Sequence, residues 1–194
     1  MDNNKSTSNK SILDNIFSKF DISLLKPTVT PDEIMSLCEM AQKLGFNICI
    51  NSCYASLVRE FVGPSFPLEI AACVSFPFGT ASSKAKAFEA RQAIKDGATE
   101  IDMVMAIGLL KQGNSYYEAV RKDIQGVVDA VLEEGGKGSK VIIETCYLTD
   151  AEKEIACKLV AEAGASFVKT STGYGTGGAT LEDVRLIRRV TPIN

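Results

Sequence analysis

Two ionisable side chains occupy the same position in two similar stretches of the sequence. Asp102 lies five residues after a glycine in Gly97–Val104, and Lys169 lies five residues after a glycine in Gly164–Ser171. In each stretch the pattern predicts a glycine that ends a helix, then a small residue, and then an apolar strand. Successive strand residues alternate between the two faces of a sheet, so the matched positions predict that both side chains point the same way. We expect both to point inward, near the carboxyl ends of their strands.

An aspartate and a lysine in this arrangement would support aldehyde chemistry. Burial disfavours the charged form of a lysine, and the neutral amine can condense with an aldehyde to an imine, or Schiff base. A nearby carboxylate can relay protons, directly or through water. Lys169 is therefore predicted as the nucleophile and Asp102 as its proton-relay partner. Each residue alone also fits a structural role, Lys169 as a rim lysine reaching water and Asp102 as a cap facing a loop.

Composition excludes several other kinds of active site. The 194 residues contain no histidine, which excludes Ser/His/Asp triads, Cys/His dyads and metal sites that use histidine. With 21 Lys and Arg against 24 Asp and Glu, the net charge of −3 argues against binding to nucleic acid or to an anionic membrane. The apolar runs are shorter than the roughly 20 residues of a membrane-spanning helix. The sequence therefore predicts a soluble, cytoplasmic protein.

The six cysteines indicate neither a disulfide framework nor a metal site. They are scattered through apolar runs without a CxxC pair, and Cys49 and Cys53 have no second pair of ligands beside them. We interpret the cysteines as reduced and mostly buried thiols, as is usual in the cytosol. No metal or organic cofactor is expected.

Short apolar strands alternate with helices from about residue 20 onward. Residues 1–10 are predicted to form a flexible tail, and residues 11–194 a single domain. Capping boxes that begin at Thr30 and Thr149 start two helices, which end at Gly45 and Gly164. Further helices are predicted at 83–96, 116–134 and 181–190. The predicted strands are Phe20–Leu25, Ile48–Asn51, Ala71–Phe76, Glu100–Met105, Lys140–Glu144 and Phe167–Thr170.

Apolar strands separated by helices are typical of a parallel sheet covered by helices, so the predicted fold class is α/β. Two architectures satisfy this pattern, a doubly wound sheet and a barrel. Gly173–Gly178 spells GxGxxG after a strand, but only one helix follows and no acidic ribose-binding residue accompanies it. We interpret this stretch as a glycine loop that turns into the helix at 181–190, whose N-terminus could hold a phosphate.

Five segments of the chain closely resemble one enzyme family. They are Asp21–Pro27 (DISLLKP), Glu100–Val104 (EIDMV), Val141–Thr145 (VIIET), Phe167–Gly173 (FVKTSTG) and Gly177–Thr180 (GGAT). In order and spacing they resemble deoxyribose-phosphate aldolase, over roughly residues 20–190. The resemblance implies a TIM (β/α)8-barrel fold and reversible cleavage of 2-deoxy-D-ribose 5-phosphate to D-glyceraldehyde 3-phosphate and acetaldehyde, without a cofactor. It also implies that Lys169 is the Schiff-base lysine and Asp102 the catalytic aspartate of this lyase.

The sequence departs from the family pattern in three places. The family's first strand reads DHTLLKP, whereas Ile22 and Ser23 stand at the His and Thr positions, and Ala106 replaces a common asparagine. The sequence also stops before the family's seventh strand, which carries a second active-site lysine, so about six of the eight βα units are expected. Without that lysine, the Lys169 amine is expected to stay more protonated. The first and sixth strands would have exposed edges, which predicts either a homo-oligomer or an open α/β sheet.

Three hypotheses for function remain at this point. The first is an active deoxyribose-phosphate aldolase with small phosphosugar and aldehyde substrates. The second is a catalytically impaired member of the family that serves as a binding or assembly partner. The third is another Schiff-base lyase or phosphosugar enzyme on the same scaffold. The pair of Lys169 and Asp102 favours the first and third, and the absent seventh strand favours the second.

Overall fold

A computed structural model describes residues 16–191, so the tail predicted at 1–10 and the two ends of the predicted domain lie outside the described residues. The strands are β1 (Asp21–Leu24), β2 (Asn47–Asn51), β3 (Ile70–Val74), β4 (Glu100–Val104), β5 (Gly138–Ile142) and β6 (Phe167–Lys169). The helices are α1 (Pro31–Leu44), α2 (Ala55–Val62), α3 (Ser83–Lys95), α4 (Ile107–Lys111), α5 (Asn114–Glu133), α6 (Asp150–Glu162) and α7 (Leu181–Val190). The alternation of strands and helices confirms the predicted α/β class.

The six strands form one parallel sheet that follows the chain order from β1 to β6. In a flat sheet β1 and β5 would lie about 19 Å apart, because neighbouring strands are spaced by about 4.8 Å. Lys140 on β5 nevertheless contacts Asp21 on β1, with 3.3 Å between Nζ and Oδ2. The sheet is therefore strongly curled, in the manner of a barrel wall. The curled sheet of six parallel strands confirms the predicted barrel-type fold with about six βα units.

The two faces of the curled sheet have different surroundings. The convex face packs against the helices through apolar side chains, among them Ile48, Ile101 and Val141, which are fully buried. Ile22 also packs into this convex core, so the change from the family's histidine does not alter the interior wall. The concave face carries charged residues of β1, β4 and β5. It therefore provides the polar interior in which a site can form.

Side-chain caps mark the first residues of two helices that the sequence predicts. α1 and α6 begin at complete capping boxes, formed by Thr30 with Glu33 and by Thr149 with Glu152. Gly45 ends α1 in the left-handed conformation, with φ of 80°. The short helices α2 and α4, of 8 and 5 residues, are absent from the sequence prediction, because so few residues show no clear helical periodicity. No helix within residues 16–191 has the length and apolar character to cross a membrane.

A fully buried ion pair ties two helices to β4. Lys86 on α3 donates hydrogen bonds to Asp123 on α5, at 2.6 Å, and to the carbonyl oxygen of Val104, at 3.0 Å. The Lys86 side chain is 0% exposed and that of Asp123 is 2% exposed. The pair therefore fixes the carboxyl end of β4 against the helical layer.

We expect Lys86→Met to lower the free energy of unfolding by about 3–5 kcal/mol, because it leaves the Asp123 carboxylate buried and unpaired. Urea denaturation followed by circular dichroism measures this loss. The double variant Lys86→Met/Asp123→Leu replaces the whole pair with apolar side chains and should recover much of the stability. Equal losses in the single and double variants would show that the unpaired charge is not the cause.

Candidate active site

Asp102 and Lys169 lie together on the concave face of the sheet. Asp102 is the third residue of β4 and is fully buried, whereas Lys169 is the last residue of β6 and its side chain is 30% exposed. The Lys169 ammonium donates a hydrogen bond to Oδ2 of Asp102. The structure thus brings together the two residues that the sequence singled out, and both point inward as predicted.

The two residues are offset from each other in the register of the strands. Asp102 pairs with Lys140 on β5, and Lys140 pairs with Phe167 on β6, so Lys169 lies two residues further toward the carboxyl end. Tilted and staggered strands of a barrel bring residues with such an offset side by side. Lys169 is the last residue of its strand and is 30% exposed at the mouth, by which we mean the carboxyl end of the concave face, whereas Asp102 is fully buried.

Lys140, which is not among the site residues predicted from the sequence, brings a second cation to Asp102. Its Nζ lies 3.1 Å from Asp102 Oδ1, 2.5 Å from Glu100 Oε2 and 3.3 Å from Asp21 Oδ2. Asp102 therefore bridges two lysines, one on each carboxylate oxygen. The available signal was a lysine directly before the apolar stretch Val141–Ile143, where a buried charge requires partners.

The charge balance of this cluster favours protonated lysines. The carboxylates of Asp21, Glu100 and Asp102 face two ammonium groups. Burial acts to lower the pKa of Lys169, but the Asp102 carboxylate raises it, and the resulting pKa lies above the ordinary value of 10.5. The lowered pKa that burial alone predicts is therefore wrong for Lys169, because attraction to Asp102 outweighs desolvation.

Two thiols line the concave face beside Asp102. Cys49 Sγ lies 3.8 Å from Asp102 Oδ2 and 3.7 Å from Cys73 Sγ. The hydrogen bond with Cys49, together with burial, raises the pKa of Cys73 well above its ordinary value. Because a thiolate is the reactive form, Cys73 does not compete with Lys169 as a nucleophile. All six cysteines are free and four of them are buried, as predicted.

The glycine loop Gly173–Gly178 follows Lys169 and leads into α7. Thr180 caps this helix by accepting a hydrogen bond from the Asp183 N–H at 3.0 Å. The first turn also carries Glu182 and Asp183, and Asp183 forms an ion pair with Lys153 at 2.7 Å. The phosphate position considered from the sequence stays a prediction. Within residues 16–191, no three His, Cys, Asp or Glu side chains are grouped to hold a metal ion.

Comparisons with known proteins give a consistent set of relatives, although no family model matches the chain. The chain is 49% identical over 172 residues to deoxyribose-phosphate aldolase of Thermococcus gammatolerans, covering 88% of this chain and 75% of that protein. It is 52% identical over 169 residues to deoxyribose-phosphate aldolase of Finegoldia magna, covering 87% and 76%. A solved tetrameric deoxyribose phosphate aldolase from Aeropyrum pernix matches with a TM-score of 0.82 at 28% identity, covering 91% of this chain and 73% of that one.

Proposed function

The chain belongs to the deoxyribose-phosphate aldolase family, and on that premise we propose that it cleaves 2-deoxy-D-ribose 5-phosphate reversibly to D-glyceraldehyde 3-phosphate and acetaldehyde. The observation that carries this proposal is the contact between Lys169 and Asp102 on the concave face of a barrel wall. An amine at the mouth can meet an aldehyde from solvent while its proton passes to the carboxylate behind it. The pair is thus suited to class I, or Schiff-base, aldolase chemistry.

Lys169 supplies the amine that binds the sugar covalently. Its ammonium group gives a proton to Asp102, and the neutral Nζ attacks the aldehyde carbon of the open-chain sugar. Loss of water yields a protonated imine, which acts as an electron sink. The bond between C2 and C3 of the sugar then breaks as the C3 hydroxyl loses its proton, which leaves D-glyceraldehyde 3-phosphate and an enamine on the lysine. Protonation of the enamine at C2 and hydrolysis of the imine release acetaldehyde and restore the amine.

Asp102 relays these protons, and Lys140 holds it in place. Lys140 contacts Oδ1 of Asp102, which leaves Oδ2 directed at Lys169. Burial opposes the charge on Lys140, but Asp102 and Glu100 raise its pKa above the ordinary value. Lys140 therefore stays positively charged and serves to orient the carboxylate, whereas Lys169 reaches the mouth and reacts.

The same proposal includes small phosphosugar and aldehyde substrates and self-association of the chain. The tetrameric aldolase from Aeropyrum pernix supports an assembly of several copies.

Borohydride trapping tests the proposed reaction directly. We expect deoxyribose 5-phosphate, in the presence of borohydride, to add one sugar to the protein by intact mass, at Lys169 by peptide mapping. Acetaldehyde should give its own, smaller adduct at the same residue. Trapping by unrelated aldehydes but not by deoxyribose 5-phosphate would indicate another Schiff-base lyase, and no adduct at all would overturn the proposal.

The raised pKa of Lys169 predicts a steep dependence of imine formation on pH. Below the pKa, each pH unit increases the neutral amine fraction about tenfold, and this pKa lies above 10.5. The initial trapping rate should therefore rise by about tenfold per unit from pH 7 to pH 9 without reaching a plateau. A plateau below pH 8 would show that the amine is deprotonated more easily than its contact with Asp102 implies.

A further inference from the structure

Glu144 is a buried carboxylate that the proposed reaction leaves without a role. It lies two residues after the end of β5, at the mouth, and is 2% exposed. Its backbone adopts the left-handed conformation, with φ of 52°, which is uncommon for a residue other than glycine. Such a conformation costs free energy and persists only where surrounding contacts hold it, so the contacts of Glu144 point to its role.

Those contacts are with the segment that follows Lys169. The Thr172 N–H donates to Oε2 and Oε1 of Glu144 at 3.2 and 3.3 Å, and the Thr172 hydroxyl donates to Oε2. Cys146 Sγ lies 3.7 Å from Oε1. The hydroxyl of Thr172 in turn accepts a hydrogen bond from the Tyr174 N–H at 3.0 Å. One carboxylate therefore fixes Thr172, three residues after Lys169, and through the Thr172 hydroxyl it also fixes the backbone of Tyr174.

The glycine loop also packs directly on this carboxylate. A Cβ atom at Gly175 would lie 2.7 Å from Cys146 Sγ and 3.1 Å from Cδ of Glu144, which is too close for any other residue without movement. The loop therefore rests against Glu144 by close packing as well as by hydrogen bonds.

Tyr174 extends this arrangement across the mouth. Its ring lies edge-on to Phe76, with ring centroids 5.4 Å apart, and we call these two rings the aromatic roof. Phe76 packs on Cys49 and Cys73, the thiols beside Asp102. The roof therefore joins the segment after β3 to the segment after β6.

The other half of the roof is held in a similar way. Ser75, directly before Phe76, also has a positive φ, of 53°, and its N–H donates to Oε2 of Glu89 at 2.9 Å. Each half of the roof is thus held by a carboxylate that accepts a hydrogen bond from the backbone, Glu89 from the Ser75 N–H and Glu144 from the Thr172 N–H. Strain concentrated at both anchors of one feature indicates that its geometry matters to the site.

We propose that Glu144 is a positioning residue, which acts through Thr172 to hold Lys169 and the aromatic roof in the geometry that the reaction requires. This inference rests on the proposed aldolase function and deepens it. Glu144 does not touch the Lys169 amine. It fixes the backbone that follows the lysine, and so sets where the amine and the Tyr174 ring lie relative to a bound sugar.

A single tryptophan can report on the roof without any assay of catalysis. The chain contains no tryptophan, so Tyr174→Trp places the only one at the roof. In that background we expect Glu144→Gln to shift the emission to longer wavelength and to increase quenching by acrylamide. Glu152→Gln is the matched control, since it removes the same charge from the capping box of α6, and it should change neither signal. Unchanged emission in the Glu144 variant, or an equal change in the control, would overturn the proposal.

Kinetics then test the route through Thr172. We expect Glu144→Gln to lower kcat/KM for deoxyribose 5-phosphate by about 10- to 100-fold, because small displacements of reacting groups have effects of this size. Thr172→Val should cause a similar loss, Thr172→Ser should retain most activity, and the Glu144→Gln/Thr172→Val double variant should be no worse than either single one. Thr172→Val also provides the test if Glu144→Gln fails to fold. Additive losses in the double variant would contradict the proposal that Glu144 acts through Thr172. Absence of an imine in the wild-type protein would instead contradict the aldolase function, and the fluorescence result would then decide the role of Glu144.

Discussion

Lys169→Met is expected to abolish borohydride trapping by deoxyribose 5-phosphate and to lower aldol cleavage by on the order of 10⁴- to 10⁶-fold, the loss typical of removing a catalytic nucleophile. Methionine has a similar length but cannot form an imine. The Asp102 carboxylate keeps its contact with Lys140 at 3.1 Å, so the substitution does not leave a buried charge unpaired. The fold should therefore survive, and the loss should be purely chemical.

Lys137→Met is the matched control for this variant. Lys137 lies directly before β5, at the amino end of the sheet, and its ammonium contacts Glu69 at 2.7 Å on the surface. The control removes one lysine from the same sheet and should keep full activity and full trapping. If Lys169→Met still forms the sugar adduct, another amine is the nucleophile and the assignment of Lys169 is wrong.

The main features of the fold could be predicted because they depend on local patterns. The capping box at Thr30 and the glycine at 45 determine both ends of α1 through contacts within a few residues. The strands could be recognised because the side chains that face the helices, such as Ile101 and Val141, are apolar and buried. The helix α2 was not predicted, because its 8 residues are too few to show a clear helical periodicity.

The electrostatics of the site could not be predicted, because they depend on distances across the sheet. The matched positions of Asp102 and Lys169 correctly indicated one face but not the stagger of two residues between them. Lys140 meets Asp21 and Asp102 only because the sheet curls, and the sequence carries no direct signal of curvature. The sign of the pKa shift follows from these contacts, since burial and ion pairing act in opposite directions.

The role of Glu144 was hidden for a related reason. In the sequence, Glu144 is the last residue of the predicted strand Lys140–Glu144, and a carboxylate at the end of a strand usually faces solvent. Its partner Thr172 lies 28 residues away, and the positive φ that brings the two together is a property of the folded chain. Resemblance to a family marks such a residue as part of a motif, but the contacts explain why it is there.

Asp102→Asn separates the two roles of the carboxylate, because it should affect imine formation and turnover in opposite directions. With the attraction to Asp102 removed, burial becomes the dominant influence on Lys169, and its pKa should fall. The pH profile of borohydride trapping should therefore move to lower pH. Steady-state cleavage of deoxyribose 5-phosphate should nevertheless fall by about 10²- to 10⁴-fold, since the proton relay is lost.

These two measurements have independent consequences for the proposed mechanism. An unchanged trapping profile would mean that the contact between Lys169 and Asp102 does not control the protonation of the amine. An unchanged cleavage rate would mean that protons reach the imine and enamine by another route, and Asp102 would then be a structural partner of Lys140. Only the combination of easier imine formation with slower turnover requires a single carboxylate that both holds the ammonium in its resting state and moves protons during the reaction.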